Sequence, residues 1–289
     1  MAPDRMSVQW ATVSVQGQSL RLEYTWVHEQ APAQAPVMVF LHEGLGSVAM
    51  WKDYPAQLCQ TLGFRGLVYS RPGYGRSCAR PAQQAWQPDF MHHQALEVLP
   101  ALLRTLGLVD TQGHALKRLW LMGHSDGGSI ALIHASARST LIEGLIVVAP
   151  HILVEDVSVA SIVRARQAYE QGDLRQRLSR YHDDPDSAFW GWNDVWLSPG
   201  FRQWSIAQEL SAIDCPVLAV QGLDDEYGTL EQIRGIRRQV PHTQLLELPQ
   251  CGHSPHRDQP QALTQAIWAF VNNVSQRPQA VSYTGPSAS

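Results

Sequence analysis

Apolar residues along the chain fall into two periods. Residues 7–28 alternate between apolar and polar, broken at Gln16, Gly17 and Gln18, which predicts an antiparallel hairpin at a sheet edge. Short apolar runs follow at Val37–Leu41, 66–69, 119–122, 145–148 and 216–220, with Gln244–Leu248 after them. Runs of that kind predict strands buried on both faces of a parallel sheet. Helical stretches are expected at 51–62, at 90–106 before Gly107, from Ile130 to Ala135, and at 263–274. Strands alternating with helices predict an α/β fold, a mainly parallel sheet covered on both faces. From 152 to 209 the strand pattern stops. Residues 162–169 and 174–181 look helical, and Phe189, Trp190, Trp192, Trp196, Phe201 and Trp204 crowd together. This block reads as an insertion over one end of the sheet. The expected organisation is a core of 1–151 and 210–275, a helical cap or lid over 152–209, and a polar, disordered tail over 276–289.

The chain is organised around residues 118–129. A buried strand runs into Gly123-His124-Ser125-Asp126-Gly127, and a helix follows. A serine flanked this way by glycines sits on a sharp strand-to-helix turn that lifts its hydroxyl out of the sheet, above a helix N-terminus that favours negative charge. The pentapeptide alone is a weak signal, and its bland reading is an ordinary βα turn. A serine nucleophile also needs a base, and the base an orienting acid. Both occur downstream at strand ends, the acid at Asp224 or Asp225 after Gly222 and the histidine at His253 or His256 after Gly252. Alone, the aspartates are turn residues and each histidine is one of twelve. Serine, acid and histidine on three strand-end loops of one sheet point to nucleophilic acyl chemistry.

These motifs, with His42-x-Gly44 and the segment from Arg71 to Ser77, make the chain resemble an α/β-hydrolase over roughly residues 8–275. The resemblance implies an eight-stranded, mostly parallel sheet with a small helical lid, and selects Ser125, Asp225 and His253 as the catalytic set. It places the oxyanion hole at the backbone N–H groups of Asp126 and Gly44. It gives residues 71–77 a structural turn and no catalytic role. Where the family usually carries glycine, this chain has Glu43. Its carboxylate is a substrate-orienting group, a partner for Arg71 or His124, or merely solvated. The tryptophans pack the lid on the core or, for Trp190, Trp192 and Trp196 with Glu43, line a substrate pocket. The implied activity is cleavage of a carboxylic ester, lactone or thioester. A carbon–carbon bond hydrolase of a ring-cleavage product needs the same three residues. Haloalkane dehalogenases and epoxide hydrolases need a carboxylate where Ser125 stands. A binding protein on this scaffold often loses the serine or histidine, and both are present.

Composition narrows the partners. The net charge of −4 over 289 residues and the lack of a basic run exclude nucleic acid. No apolar run reaches membrane-spanning length, and the first residues hold no apolar core segment of a signal peptide. Cys59, Cys78, Cys215 and Cys251 lack metal-type spacing and read as free thiols of a cytoplasmic protein. The expected partner is a small molecule with an apolar or aromatic acyl group. The chemistry requires no cofactor and no metal. The oligomeric state stays open, a homodimer included.

Overall fold

The computed structural model describes residues 7–81, 84–138 and 141–276. The tail expected over 276–289 lies outside the described residues from 277 onward. Eight strands, β1 (Gln9–Val15), β2 (Gln18–Val27), β3 (Val37–Leu41), β4 (Arg65–Tyr69), β5 (Leu119–His124), β6 (Ile142–Val148), β7 (Val217–Gly222) and β8 (Gln244–Leu248), form one sheet. Their order is β1-β2-β4-β3-β5-β6-β7-β8. β1 and β2 form the edge hairpin, β2 pairs antiparallel with β4, and the pairings from β4 to β8 are parallel.

Alternate residues of each central strand serve opposite faces. Val39, Leu41, Leu121, Leu145 and Val147 join one core. Met38, Phe40, Trp120, Met122, Ile146 and Val148 join the other. The helices cover both faces: α1 (Tyr54–Leu62), α2 (Phe90–His93), α3 (Leu99–Thr105), α4 (Asp126–Ala137), α5 (Asp156–Gln171), α6 (Leu174–Leu178), α7 (Pro185–Leu197), α8 (Glu231–Gln239), α9 (Pro255–Asp258) and α10 (Pro260–Ser275). None of them is long and apolar enough to cross a membrane.

Two helical expectations are modified, each at a proline. The stretch expected at 51–62 splits into a 3-10 turn, Val48–Trp51, and α1, which starts where Pro55 fits the first turn. The stretch expected at 90–106 keeps its course but widens into a π turn, Gln94–Val98, just before Pro100. Proline supplies no N–H and crowds the carbonyl four residues back. Between β6 and β7 the chain forms α5, α6, α7 and two short 3-10 turns. The aromatic block becomes α7 and the turn after it. Phe189 stacks on Tyr169 at 3.7 Å, and Phe201 packs against both Trp196 and Trp204.

Candidate active site

Ser125 stands between the last residue of β5 and the first of α4, with φ 53° and ψ −122°. A side chain rarely holds this conformation. It persists because the turn is closed from both sides. A Cβ on Gly123 would come within 2.2 Å of the Gly127 carbonyl oxygen, and one on Gly127 within 2.1 Å of the Leu41 carbonyl oxygen. The Ser125 N–H donates to the Val148 carbonyl at 2.9 Å, which ties the elbow to β6.

The loops after β7 and β8 deliver two more groups. His253 Nε2 lies 2.9 Å from Ser125 Oγ, and its Nδ1 lies 2.8 Å from Asp225 Oδ1. A carboxylate only accepts, so Nδ1 carries the proton and Nε2 is free to accept from the serine hydroxyl. Asp225 also accepts from the Tyr227 N–H at 2.8 Å and from Gln221 Nε2 at 3.1 Å. Burial opposes its ionisation, yet the hydrogen bond from His253 holds its carboxyl below the ordinary range. Asp224 is exposed at the same turn and His256 is buried against Trp51 and Tyr54, so neither of these alternatives reaches Ser125. Two hydroxyls of α5 fasten the acid loop, Ser158 Oγ donating to the Tyr227 carbonyl at 2.6 Å and Ser161 Oγ to that of Glu226.

The loop after β3 carries Glu43 and Gly44. Arg71, fully buried, donates from Nη2 to the Glu43 carbonyl at 2.8 Å, and its backbone N–H donates to His42 Nε2 at 3.0 Å. His42 Nδ1 therefore bears the ring proton and donates to the Glu43 carbonyl at 2.7 Å. Arg71 thus grips the backbone of residue 43. The Glu43 carboxylate points elsewhere, 3.5 Å from His124 Nδ1 and 3.5 Å from Arg257 Nη2. Burial would raise its pKa, but His124 and Arg257 outweigh that and hold it well below the carboxylate range. Asp126 opens α4, where the first N–H groups have no helical acceptor. Its carboxyl is fully buried, accepts from Trp196 Nε1 at 3.2 Å, and is pushed up to about 6 by burial despite the charge of Arg71.

These groups surround a cavity of about 110 Å³, lined by Glu43, Gly44, His124, Ser125, Asp126 and His253 on the core side and by Ile162, Trp192 and Trp196 from α5 and α7. Trp190, expected with them, is absent from this lining. On one helix, residues 192 and 196 lie one turn apart on one face and 190 does not. The Trp190 ring packs edge-on against Tyr169 and Phe189 instead, beneath the Arg166 guanidinium. The lining also includes His151, Tyr227, Leu45 and Ser254, which sequence reasoning did not single out. His151 follows the end of β6, and strand ends are where open sheets place functional groups, so a signal for it existed. Its ring lies 5.8 Å from that of His253, and burial together with the His253 charge drives its pKa down to about 3. No three His, Cys, Asp or Glu side chains among the described residues converge to hold a metal ion.

The alpha/beta hydrolase family matches residues 38–266. The sn-1-specific diacylglycerol lipase of Mus musculus is 25% identical over 266 residues, covering 83% of this chain and 82% of its own. The 2-succinyl-6-hydroxy-2,4-cyclohexadiene-1-carboxylate synthase of Enterobacter sp. (strain 638) is 26% identical over 264 residues, covering 80% of this chain and 90% of its own. Among solved structures, the enol-lactonase from Burkholderia xenovorans LB400 superposes with a TM-score of 0.68 at 20% identity, covering 91% of this chain and all of that one, a likeness of fold.

Proposed function

The chain belongs to the alpha/beta hydrolase family, and we propose that it is a serine hydrolase cleaving a carboxylic ester, lactone or thioester of a small acyl group through an acyl-enzyme on Ser125. The observation that carries the reading is the continuous hydrogen-bond chain from Ser125 Oγ through His253 to Asp225 at the wall of the cavity. His253 Nε2 takes the hydroxyl proton as Oγ attacks the carbonyl carbon. Asp225 holds the tautomer and stabilises the imidazolium. The N–H groups of Asp126 and Gly44 receive the oxyanion. His253 returns the proton to the leaving group, then activates water to release the acid. The residues from α5 to α7 act as the cap.

The cavity suggests what is bound. At about 110 Å³ it is smaller than the roughly 300–1,000 Å³ pockets of drug-sized ligands, which supports a short acyl group. Among the described residues its lining includes Glu43 and Asp126 and no lysine or arginine. The synthase relatives are named for a product with a succinyl group and a carboxylate, and two such anionic groups would meet no lysine or arginine in this lining. That argues for a neutral acyl substrate and for hydrolysis over that lyase-type reaction.

The test is labelling with a fluorophosphonate followed by peptide mapping, beside a p-nitrophenyl ester series from acetate to octanoate. Modification of Ser125, loss of turnover in Ser125→Ala and an optimum at or below butyrate are expected. An unlabelled Ser125 in folded protein that turns over no ester would sink the reading.

A further inference from the structure

We propose that the indole N–H of Trp192 is a third hydrogen-bond donor to the oxyanion, supplied by helix α7 beside the backbone N–H groups of Gly44 and Asp126. The inference rests on the acyl-transfer reading of Ser125 and concerns a side chain to which that reading gives no chemical role.

A Cβ on Gly44 would stand 2.1 Å from Trp192 Nε1 and 2.5 Å from its Cδ1. With a carbon–carbon bond of about 1.5 Å, Nε1 lies no more than about 3.6 Å from the Gly44 Cα. The indole edge thus occupies the space that a side chain at residue 44 would fill, beside the N–H assigned to the oxyanion. Trp192 and Trp196 sit one turn apart on α7 and both line the cavity, but their N–H groups differ. That of Trp196 donates to Asp126 Oδ1 and fastens the helix to the elbow. That of Trp192 makes no hydrogen bond to another of the described residues, and Trp192 lines the cavity. An indole N–H in a largely buried site normally finds a partner. The group that appears there during reaction is the carbonyl oxygen. As Ser125 Oγ bonds to the carbon, the π pair moves onto that oxygen and the hydroxyl proton moves to His253 Nε2. The N–H then meets a full negative charge, where a donor is worth most.

The experiment replaces Trp192 with Phe and, separately, with 3-benzothienylalanine, which keeps the bicyclic outline and exchanges N–H for sulfur. Two quantities are read in each: kcat and KM for p-nitrophenyl acetate, and the dissociation constant of propylboronic acid, whose Ser125 adduct is a tetrahedral anion. Both variants are expected to lose about 10- to 100-fold in kcat with KM within about twofold, and to bind the boronate more weakly by a similar factor. An unchanged kcat, or a loss carried by KM alone, would make the indole a packing or substrate-binding group and overturn the proposal. If Phe fails to fold, the benzothienyl variant still decides. The boronate arm needs no turnover. A wild type that cleaves no ester sinks the esterase reading, while an unchanged boronate ratio sinks the Trp192 donor alone.

Discussion

Replacing Gly44 with alanine should damage activity far more than one methyl group suggests. The added Cβ would stand 2.1 Å from Trp192 Nε1, where ordinary contact begins at 3.4 Å, so one partner must retreat by about 1.3 Å. Neither is free to do so. The loop is held by the Arg71 guanidinium on the Glu43 carbonyl and by His42. Helix α7 is held by Trp196 on Asp126 and by Asn193 Nδ2 on the Ile162 carbonyl at 3.1 Å. Displacements of about 1 Å in a reacting geometry cost on the order of 100-fold, and overpacking costs about 1–3 kcal/mol. Gly44→Ala should therefore lose roughly 100-fold in kcat/KM for p-nitrophenyl acetate and melt several degrees lower. The clash should vanish where the indole is absent. In Trp192→Ala, adding Gly44→Ala should cost little further stability, a coupling of about 1–3 kcal/mol in a double-variant cycle. Gly44→Ala within threefold of wild-type activity, with an unchanged melting temperature, would refute the placement of residue 44 beside the indole at the reacting carbonyl.

Asp225→Asn should lower kcat by about 1,000- to 10,000-fold, because the amide cannot hold His253 in the Nδ1–H tautomer. Asp224→Asn, at an exposed turn position, should stay within twofold, and equal losses in the two would undo the assignment. Asp126→Asn tests linkage. With its folded pKa near 6 against an ordinary 3.8, the native state holds this proton better than the unfolded chain. The contribution favours folding below 3.8 and is lost as pH rises through about 6, at a cost on the order of 3 kcal/mol above that. Asparagine still accepts from Trp196, so the variant should melt above wild type at pH 8 and not at pH 4. Parallel melting curves from pH 4 to 8 would refute the buried, proton-holding carboxyl.

What the sequence made legible was local. Six short apolar runs and an alternating hairpin mark the strands because each pattern lies within a few residues, and the sheet has those eight strands. Glycine-flanked Ser125, Asp225 and His253 stand out for the same reason, and the structure brings their side chains within hydrogen-bond reach. Long-range pairings were not legible. Glu43 meets His124 and Arg257, while Arg71 takes its carbonyl instead of its carboxylate, and no periodicity encodes that choice. The sequence groups Trp190 with Trp192 and Trp196 by proximity alone, whereas Pro185–Leu197 form one helix. In that helix a step of two residues turns about 200° around the axis and carries Trp190 to another face.

The buried histidines show why this end of the sheet is built from neutral imidazoles. Pro100 has no N–H to continue the π register in which the Leu99 N–H reaches the Gln94 carbonyl, so the Ala95 carbonyl loses its backbone donor. His134 Nδ1, from α4, supplies one at 2.8 Å. His182 accepts from the Gly75 N–H at 2.9 Å and donates to the Leu45 carbonyl at 2.9 Å, joining the chain between β6 and β7 to two loops of the sheet. His42 bridges Arg71 and Glu43 in the same donate-and-accept fashion. Each contact satisfies backbone away from water without adding a charge that burial would penalise. For His42 and His182 it works only while one ring nitrogen is unprotonated, and burial, the largest influence on both, holds their pKa values below the ordinary range. His124 shares the device in part. Its Nε2 lies 2.7 Å from the His253 carbonyl and its Nδ1 lies 3.5 Å from the Glu43 carboxylate. The backbone of the proposed base is thereby tied to the residue before the proposed nucleophile.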